Sequence, residues 1–183
     1  MKTYLIAVTP PLDICKKIDV YRNLYSGYTS YIIPPHVTIV PPFTLLGVQE
    51  EELVCLLEKE GAPVEGMRAC LDSFGFFEER KNVLFLQPDR KSEGLFKTIF
   101  QAIFSVLDGR IKYRYDTYKA NTDDFHPHLT IGEKIPDSQF EKLKAELKLV
   151  EPIIWEIFSF DIYYYNELSH SWDKLHEIAL KNF

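Results

Sequence analysis

The stretches IPPHVTIVPPF (residues 33–43) and FHPHLTIG (residues 125–132) decide the fold of this chain. Each contains a tetrapeptide that reads His, aliphatic, Thr, aliphatic, at residues 36–39 in the first stretch and 128–131 in the second. Both tetrapeptides follow a proline and are rich in the β-branched and aliphatic residues that favour strands. One copy in each half of the chain indicates an internal duplication.

Strand geometry gives the spacing within each tetrapeptide a meaning. Side chains alternate between the two faces of a strand, so His36 and Thr38 share one face while the aliphatic residues between them take the other. His128 and Thr130 share a face in the same way. If a pseudo-twofold relates the halves, we expect both His-Thr edges to face one cleft.

The rest of the chain supplies strands and helices around these two motifs. Alternation and apolar runs predict strands at residues 3–9, 36–43, 67–77, 82–87, 124–133, 153–165 and 172–181. Helical periodicity predicts helices at residues 12–25, 49–60, 92–108 and 138–149. Strands mixed with four helices indicate an α+β fold. No linker or low-complexity segment interrupts the pattern, so we expect residues 1–183 to form a single domain.

Several boundaries are predicted from local signals. Pro41-Pro42 should stop the second strand, because proline cannot donate to a sheet ladder. Ser92 is the expected cap of the third helix, and Ser138 with Glu141 has the spacing of a capping box. The stretch 153–165 is expected to be one long strand that pairs with residues 172–181.

Composition excludes several classes of protein. The 183 residues carry a formal net charge of −6, which argues against the broad basic surface that duplex DNA requires. Cys15, Cys55 and Cys70 are scattered and form no C-x-x-C pair, so neither a disulfide framework nor a thiolate zinc site is indicated. No apolar run is long enough for a membrane span, and the N-terminal run is too short for a signal peptide. We expect a cytoplasmic protein.

Paired imidazoles beside hydroxyls suit the cleavage of a phosphoester. Because the ordinary pKa of histidine is about 6.5, one neutral ring can accept a proton while one charged ring donates one. The hydroxyls of Thr38 and Thr130 can donate to the non-bridging phosphate oxygens. This chemistry requires neither a metal nor a cofactor, so we expect none.

A metal site is the alternative for the second motif. His126 and His128 form H-x-H, with Asp123 and Asp124 close by in the sequence, and this spacing also occurs in metal sites. His36 has no such companion, so we favour a packing or cleft-edge role for His126.

The remaining histidines and two phenylalanines have modest expected roles. His170 and His176 are expected at the surface. Phe43 and Phe125 flank the motifs and could stack on a base, although core packing is the favoured interpretation.

The paired motifs resemble those of the two-histidine (2H) phosphoesterase superfamily, in its LigT-like branch of 2′-5′ RNA ligases and RNA 2′,3′-cyclic phosphodiesterases. The resemblance covers essentially the whole chain, because WDKLHEIAL (172–180) also resembles the family's closing strand. It implies two antiparallel sheets flanked by helices around a V-shaped cleft. It further implies that His36 and His128 are catalytic and that Thr38 and Thr130 bind phosphate.

The function implied by this resemblance is hydrolysis of a 2′,3′-cyclic phosphate on a small nucleotide or an RNA terminus. We also expect a monomer that does not bind membranes or duplex DNA. Two alternatives stay open, a 2′-5′ RNA ligase and a non-catalytic module that binds phosphate or RNA ends. Many LigT-like proteins have an arginine shortly after the second motif, where this chain has Gly132-Glu133. That departure argues against a long RNA substrate. The sequence does not assign which histidine is the acid and which is the base.

Overall fold

The structure is a computed structural model, and it describes residues 2–25, 32–60, 67–78, 82–114, 125–147 and 149–180. These residues form nine strands and four helices. The strands are β1 (Tyr4–Val8), β2 (Val37–Leu45), β3 (Met67–Phe77), β4 (Val83–Pro88), β5 (Ile111–Tyr113), β6 (Leu129–Gly132), β7 (Leu149–Ile157), β8 (Ser159–Asn166) and β9 (Ser171–Ala179). The helices are α1 (Leu12–Tyr25), α2 (Glu50–Glu60), α3 (Arg90–Leu107) and α4 (Asp137–Glu146).

The strands form one antiparallel sheet in the order β7-β3-β4-β6-β2-β1-β8-β9, with β5 also paired to β2. This order divides into two four-stranded groups, and the motif strands β6 and β2 are the innermost member of each. Within the described residues, the register joins the groups through one residue pair, Val37 with Leu129. The α+β prediction, with antiparallel pairing and four helices, is therefore confirmed.

The order of elements repeats between the two halves. The first half runs β1-α1-β2-α2, and the corresponding run in the second half is β4-α3-β5-β6-α4, which differs by the short strand β5. In both runs the motif strand pairs antiparallel with the strand that precedes the helix. This repetition is the arrangement that the duplicated tetrapeptides indicate.

One face of the sheet supports the main core. Val37, Ile39, Leu129 and Ile131 are fully buried there. They belong to a single cluster that also takes in apolar residues of all four helices. The apolar residues of the motifs therefore anchor the strands, and the His-Thr edges lie on the face opposite this core.

The prediction that Pro41-Pro42 stops the second strand was wrong, because β2 continues through both prolines to Leu45. The register against β1 pairs Tyr4 with Phe43 and Ile6 with Val40, so β2 contains one extra residue at the prolines. Such a bulge leaves a position outside the ladder, which lets a strand tolerate residues without an N–H. The far end of β2 then pairs with β5.

The prediction of one long strand over residues 153–165 was also wrong. The chain forms β7 and β8, separated by the exposed residue Phe158. β7 pairs with β3 in one group of strands, and β8 pairs with β1 and β9 in the other. The pairing of β8 with β9 confirms the expected hairpin.

Two predicted helix caps differ from the structure. The cap of α3 is Asp89, whose carboxylate accepts from the Ser92 backbone N–H at 2.7 Å. Ser92 is buried inside the first turn, where its hydroxyl accepts from the Cys70 N–H at 2.9 Å and so connects α3 to β3. The first residue of α4 is Asp137, after Pro136, and no side chain caps it, so Ser138 already lies within the helix. Proline is accepted at this position because its fixed φ suits the entry to a helix.

Candidate active site

The two His-x-Thr motifs lie side by side at the centre of the sheet. Val37 pairs with Leu129, and the same antiparallel register extended by one residue sets His36 opposite Thr130 and Thr38 opposite His128. All four side chains are partly exposed, whereas their aliphatic neighbours are buried. Directly opposed residues of an antiparallel pair have Cβ atoms about 4.5–5.5 Å apart. The fold thus gathers two imidazoles and two hydroxyls, from distant parts of the sequence, on one face.

Each imidazole is oriented by a backbone carbonyl two residues earlier in the chain. His36 Nδ1 is 2.8 Å from the Pro34 oxygen, and His128 Nδ1 is 2.7 Å from the His126 oxygen. A carbonyl only accepts, so Nδ1 must carry a proton in both rings. In the neutral ring the lone pair is then on Nε2, which is the atom available for proton transfer.

His36 also contacts the hydroxyl of its own motif. Its Nε2 is 3.1 Å from Thr38 Oγ1, so the hydroxyl can donate to the neutral ring. Burial, together with the positive charges that Arg22 and His128 can carry, lowers the pKa of His36 to about 4, although the bond to Pro34 acts in the opposite direction. His36 is therefore neutral at neutral pH.

Arg22 holds the segment that leads into the first motif. This side chain is 4% exposed near the end of α1. Its Nη2 donates to the Ile33 carbonyl at 3.1 Å, and its Nη1 donates to Asp19 Oδ1 at 3.3 Å. The Trp172 backbone N–H donates to the Ile32 carbonyl at 2.9 Å, which fixes the same segment from β9.

Sequence reasoning missed Arg22, although a signal was present. Ile14, Ile18 and Arg22 are spaced by four residues, so the arginine stands where the buried face of α1 should carry an apolar residue. A charged residue at such a position is rarely buried unless it is paired.

Aromatic rings surround His128. Phe77 stacks on Phe85 with a centroid distance of 4.3 Å, and the His128 ring lies 5.0 Å from Phe77 and 5.2 Å from Phe85. Gly75 makes this packing possible, because a Cβ at that position would lie 2.2 Å from Phe85 Cε2. These residues cannot be identified from the sequence alone, because contact between β3, β4 and the second motif depends on strand order.

Polar groups lie on the same face near the first motif. Ala7 of β1 pairs with Thr38 on one side and with Asp161 of β8 on the other. Asp161 is only 3% exposed, and its Oδ1 is 2.9 Å from Lys174 Nζ. The Tyr163 hydroxyl is 3.4 Å from Asp161 Oδ2 and 2.8 Å from Thr9 Oγ1.

The other residues considered from the sequence are either packed against apolar neighbours or exposed at the surface. Phe43 is fully buried in the core, and Phe125 stacks on Phe100 at 4.5 Å, so both pack as the favoured interpretation expected. His126, His170 and His176 are exposed.

The metal alternative receives no support from the described residues, where no group of three or more His, Cys, Asp or Glu side chains could hold a metal ion. Asp123 and Asp124 lie outside those residues. None of the helices in the described ranges combines the length and apolar character needed to cross a membrane.

The departure after the second motif has a partial structural cause. A Cβ at Gly132 would lie 2.8 Å from the Tyr25 carbonyl oxygen at the end of α1. That backbone atom cannot move aside cheaply, so α1 restricts this position to glycine. Close packing of α1 on β6 thus requires a residue without a side chain at the end of the second motif strand.

An antiparallel α+β sheet that carries two His-x-Thr edges side by side is the arrangement of the two-histidine phosphoesterases. Comparison with protein families agrees with this class. The chain belongs to the 2′-5′ RNA ligase superfamily, whose family model matches residues 10–168.

Two curated relatives of this chain are named as phosphoesterases. A protein of Geobacillus sp. (strain WCH70), provisionally named a phosphoesterase, is 26% identical over 148 residues, which are 80% of this chain and 78% of the relative. A provisionally named phosphoesterase of Geobacillus kaustophilus (strain HTA426) is 25% identical with the same coverage. Family and relatives together support phosphoesterase activity.

Solved structures share the fold. Escherichia coli LigT complexed with NADP+ superposes with a TM-score of 0.67 at 16% identity and 98% coverage of each chain. The protein TT0787 of Thermus thermophilus gives a TM-score of 0.63 at 18% identity, covering 100% of this chain and 99% of that one. At these identities the likeness establishes the fold alone.

Proposed function

We propose that this protein hydrolyses a 2′,3′-cyclic phosphate, on a nucleotide or a short RNA terminus, to a 2′-phosphate. The observation that carries the proposal is the pairing of Val37 with Leu129, which puts both imidazoles and both hydroxyls on one face of adjacent strands. A cyclic phosphodiester needs a base on one side of phosphorus and an acid on the other. Two histidines on adjacent strands, with both imidazoles on one face of the sheet, are suited to supply this base and this acid.

His36 is the general base in this proposal and His128 is the general acid. A water molecule attacks phosphorus, and its proton passes to Nε2 of neutral His36. The bond between phosphorus and the 3′ oxygen breaks, and that oxygen takes the proton from Nε2 of charged His128. The products are a 2′-phosphate and a 3′-hydroxyl, and proton exchange with solvent restores both rings.

The environments of the two rings support this assignment. The lowered pKa of His36 keeps its Nε2 unprotonated at neutral pH. His128 instead contacts two phenyl rings, with centroid distances of 5.0 and 5.2 Å, and the proposal requires that its ring carries the proton that the leaving oxygen takes. Pairs of titratable groups in contrasting environments are typical of acid–base catalysis.

The two threonines are the proposed phosphate site. Each hydroxyl lies opposite the imidazole of the other motif, so both can donate to non-bridging oxygens while the rings serve the attacking and leaving oxygens. Donors aimed at the oxygens on which charge accumulates lower the barrier more in a partly desolvated site than in water.

A small nucleotide is the favoured substrate. LigT of the same fold has been crystallised with 3′-AMP, with ATP and with NADP+. The partly buried ring of Phe77 beside His128 could receive a base, because aromatic side chains stack on any base.

Turnover of the four 2′,3′-cyclic nucleoside monophosphates tests the proposal. We expect 2′-phosphates as products, with and without EDTA. His36→Ala and His128→Ala should each nearly abolish turnover while the protein stays folded, because each proton transfer contributes about 10²–10⁴-fold. His176→Ala is the matched control, since this exposed histidine lies on β9.

Three outcomes would contradict the proposal. Full activity in either histidine variant removes the catalytic pair. Tight binding without turnover identifies a binding module. Joining of RNA ends through 2′-5′ bonds, without net hydrolysis, identifies a ligase.

A further inference from the structure

Arg22 contacts a carbonyl three residues before the proposed base. The Ile33 oxygen that accepts from Nη2 at 3.1 Å belongs to the peptide plane that leads into Pro34. Peptide planes are rigid, and the proline ring fixes φ of Pro34. Only ψ of Pro34 therefore remains soft between the plane that Arg22 holds and the Pro34 carbonyl.

That second carbonyl orients the imidazole. The Pro34 oxygen accepts from His36 Nδ1 at 2.8 Å. A continuous path thus runs from the guanidinium through two successive peptide planes to the ring. Because the path contains so few soft dihedrals, displacement of the Ile33 carbonyl must move the partner of Nδ1.

Arg22 also acts on His36 through its charge. Among the described residues, the charged groups that influence His36 are Arg22 from α1 and His128, which directly precedes β6, and both disfavour protonation of the His36 ring. Asp19 pairs with the other guanidinium nitrogen of Arg22, but the Asp19 side chain is 47% exposed to solvent. The arginine therefore favours the neutral imidazole.

We infer that Arg22 is a positioning residue, which holds the His36 ring in place through the Ile33 and Pro34 carbonyls and keeps its Nε2 unprotonated. This inference rests on the proposed function, in which His36 is the base. Arg22 itself does not touch the reacting atoms.

Substitution of Arg22 separates its two effects. Arg22→Met removes charge and donors at similar length, and we expect kcat to fall about 10²-fold with little change in KM, since a misplacement of about 1 Å can cost that much. The acid limb of the pH profile should move to higher pH, because a charge that disfavours protonation of His36 is lost. Arg22→Lys retains the charge without the fork, so the acid limb should stay while kcat falls.

The matched control is Arg90→Met, since Arg90 is an exposed residue at the start of α3. We expect this variant to keep the kcat and the pH profile of the unaltered protein. A folded Arg22→Met protein with unchanged kcat and an unchanged acid limb would overturn the inference.

Nitrogen NMR of the imidazoles provides a readout that needs no turnover. In the unaltered protein His36 should remain the Nδ1-protonated neutral tautomer down to about pH 4, and in Arg22→Lys it should lose the fixed tautomer while it stays neutral. If the unaltered protein hydrolyses no cyclic phosphate, the proposed function fails, yet these spectra still test the role of Arg22. Identical His36 spectra in the unaltered protein, Arg22→Lys and Arg22→Met would overturn it.

Discussion

The two edges of the site carry the same motif in contrasting surroundings. On the side of the first motif, across β1 from Thr38, the same face holds the buried carboxylate of Asp161 with its partner Lys174. Beside His128 it holds phenyl rings. Both imidazoles keep the same Nδ1 bond to a carbonyl two residues earlier, so duplication preserved their orientation while the neighbours diverged. Orientation therefore comes from the motif itself, whereas the lowered pKa of His36 comes from its burial and from the charges of Arg22 and His128.

The largest expected effect comes from replacing each histidine in turn and comparing the pH profiles of the two variants. His36→Asn and His128→Asn should each lower kcat by about 10²–10⁴-fold. The residual kcat/KM of His128→Asn should retain the acid limb near pH 4, because His36 still titrates there, whereas His36→Asn should lose it. The same acid limb in both variants would show that it does not arise from titration of His36.

A second test removes the cation from the polar edge. Lys174→Met leaves the carboxylate of Asp161, 3% exposed, without its ion pair, and we expect the free energy of unfolding to fall by about 3 kcal/mol. The double variant Asp161→Leu with Lys174→Met should recover much of that loss, since no uncompensated charge remains. Denaturant titration measures both values, and equal stability of the Lys174→Met and unaltered proteins would mean that this pair contributes nothing.

The stability of the whole protein should depend on pH through His36. Its folded pKa of about 4 lies below the ordinary value of about 6.5, so between these values the unfolded chain binds a proton that the folded one does not. Stability is therefore lost as pH falls from about 6.5 to about 4, and this one group should cost about 2 kcal/mol at pH 5.

Chemical denaturation at pH 7 and pH 5 checks that value. His36→Asn should show a difference between the two pH values that is smaller by this amount. The same pH dependence with and without the histidine would contradict the assigned protonation state.

The smallest expected effect concerns the aromatic edge. Gly75→Ala places a methyl group where Phe85 lies, so the ring must shift, and we expect a loss of about 1 kcal/mol in stability. Because Phe85 and Phe77 both contact His128, kcat should fall as well, while the pH 4 limb that belongs to His36 stays unchanged. Gly94→Ala, at a helical position with open space around it, is the control.

The sequence predicted much of the fold because its strongest signals were local. The apolar periodicity of α1 and α3 and the alternation within both motifs correspond to elements of the structure. Errors arose where long-range pairing outweighed a local signal. Pro41-Pro42 ends a strand in isolation, but a bulge against β1 and pairing with β5 carry β2 past it.

The site was predictable to the extent that it was repeated. His36, Thr38, His128 and Thr130 stand in duplicated contexts, and alternation alone puts each His-Thr pair on one face. Arg22, Phe77 and Phe85 belong to no repeated motif. They lie on elements whose neighbours depend on the order of strands in the sheet. Only the three-dimensional structure brings α1, β3 and β4 to the motifs.

The joint at Val37 and Leu129 has a mechanical consequence. In the part of the chain that the structure describes, this is the one residue pair of the sheet register that joins the two groups of strands, and His36 and His128 directly precede its two members. When two bodies flex about a joint, atoms travel in proportion to their distance from its axis. Rotation of one group of strands relative to the other would therefore displace the outer strands far more than the imidazoles. The distance between the two rings is therefore insensitive to relative rotation of the two groups of strands about this pair.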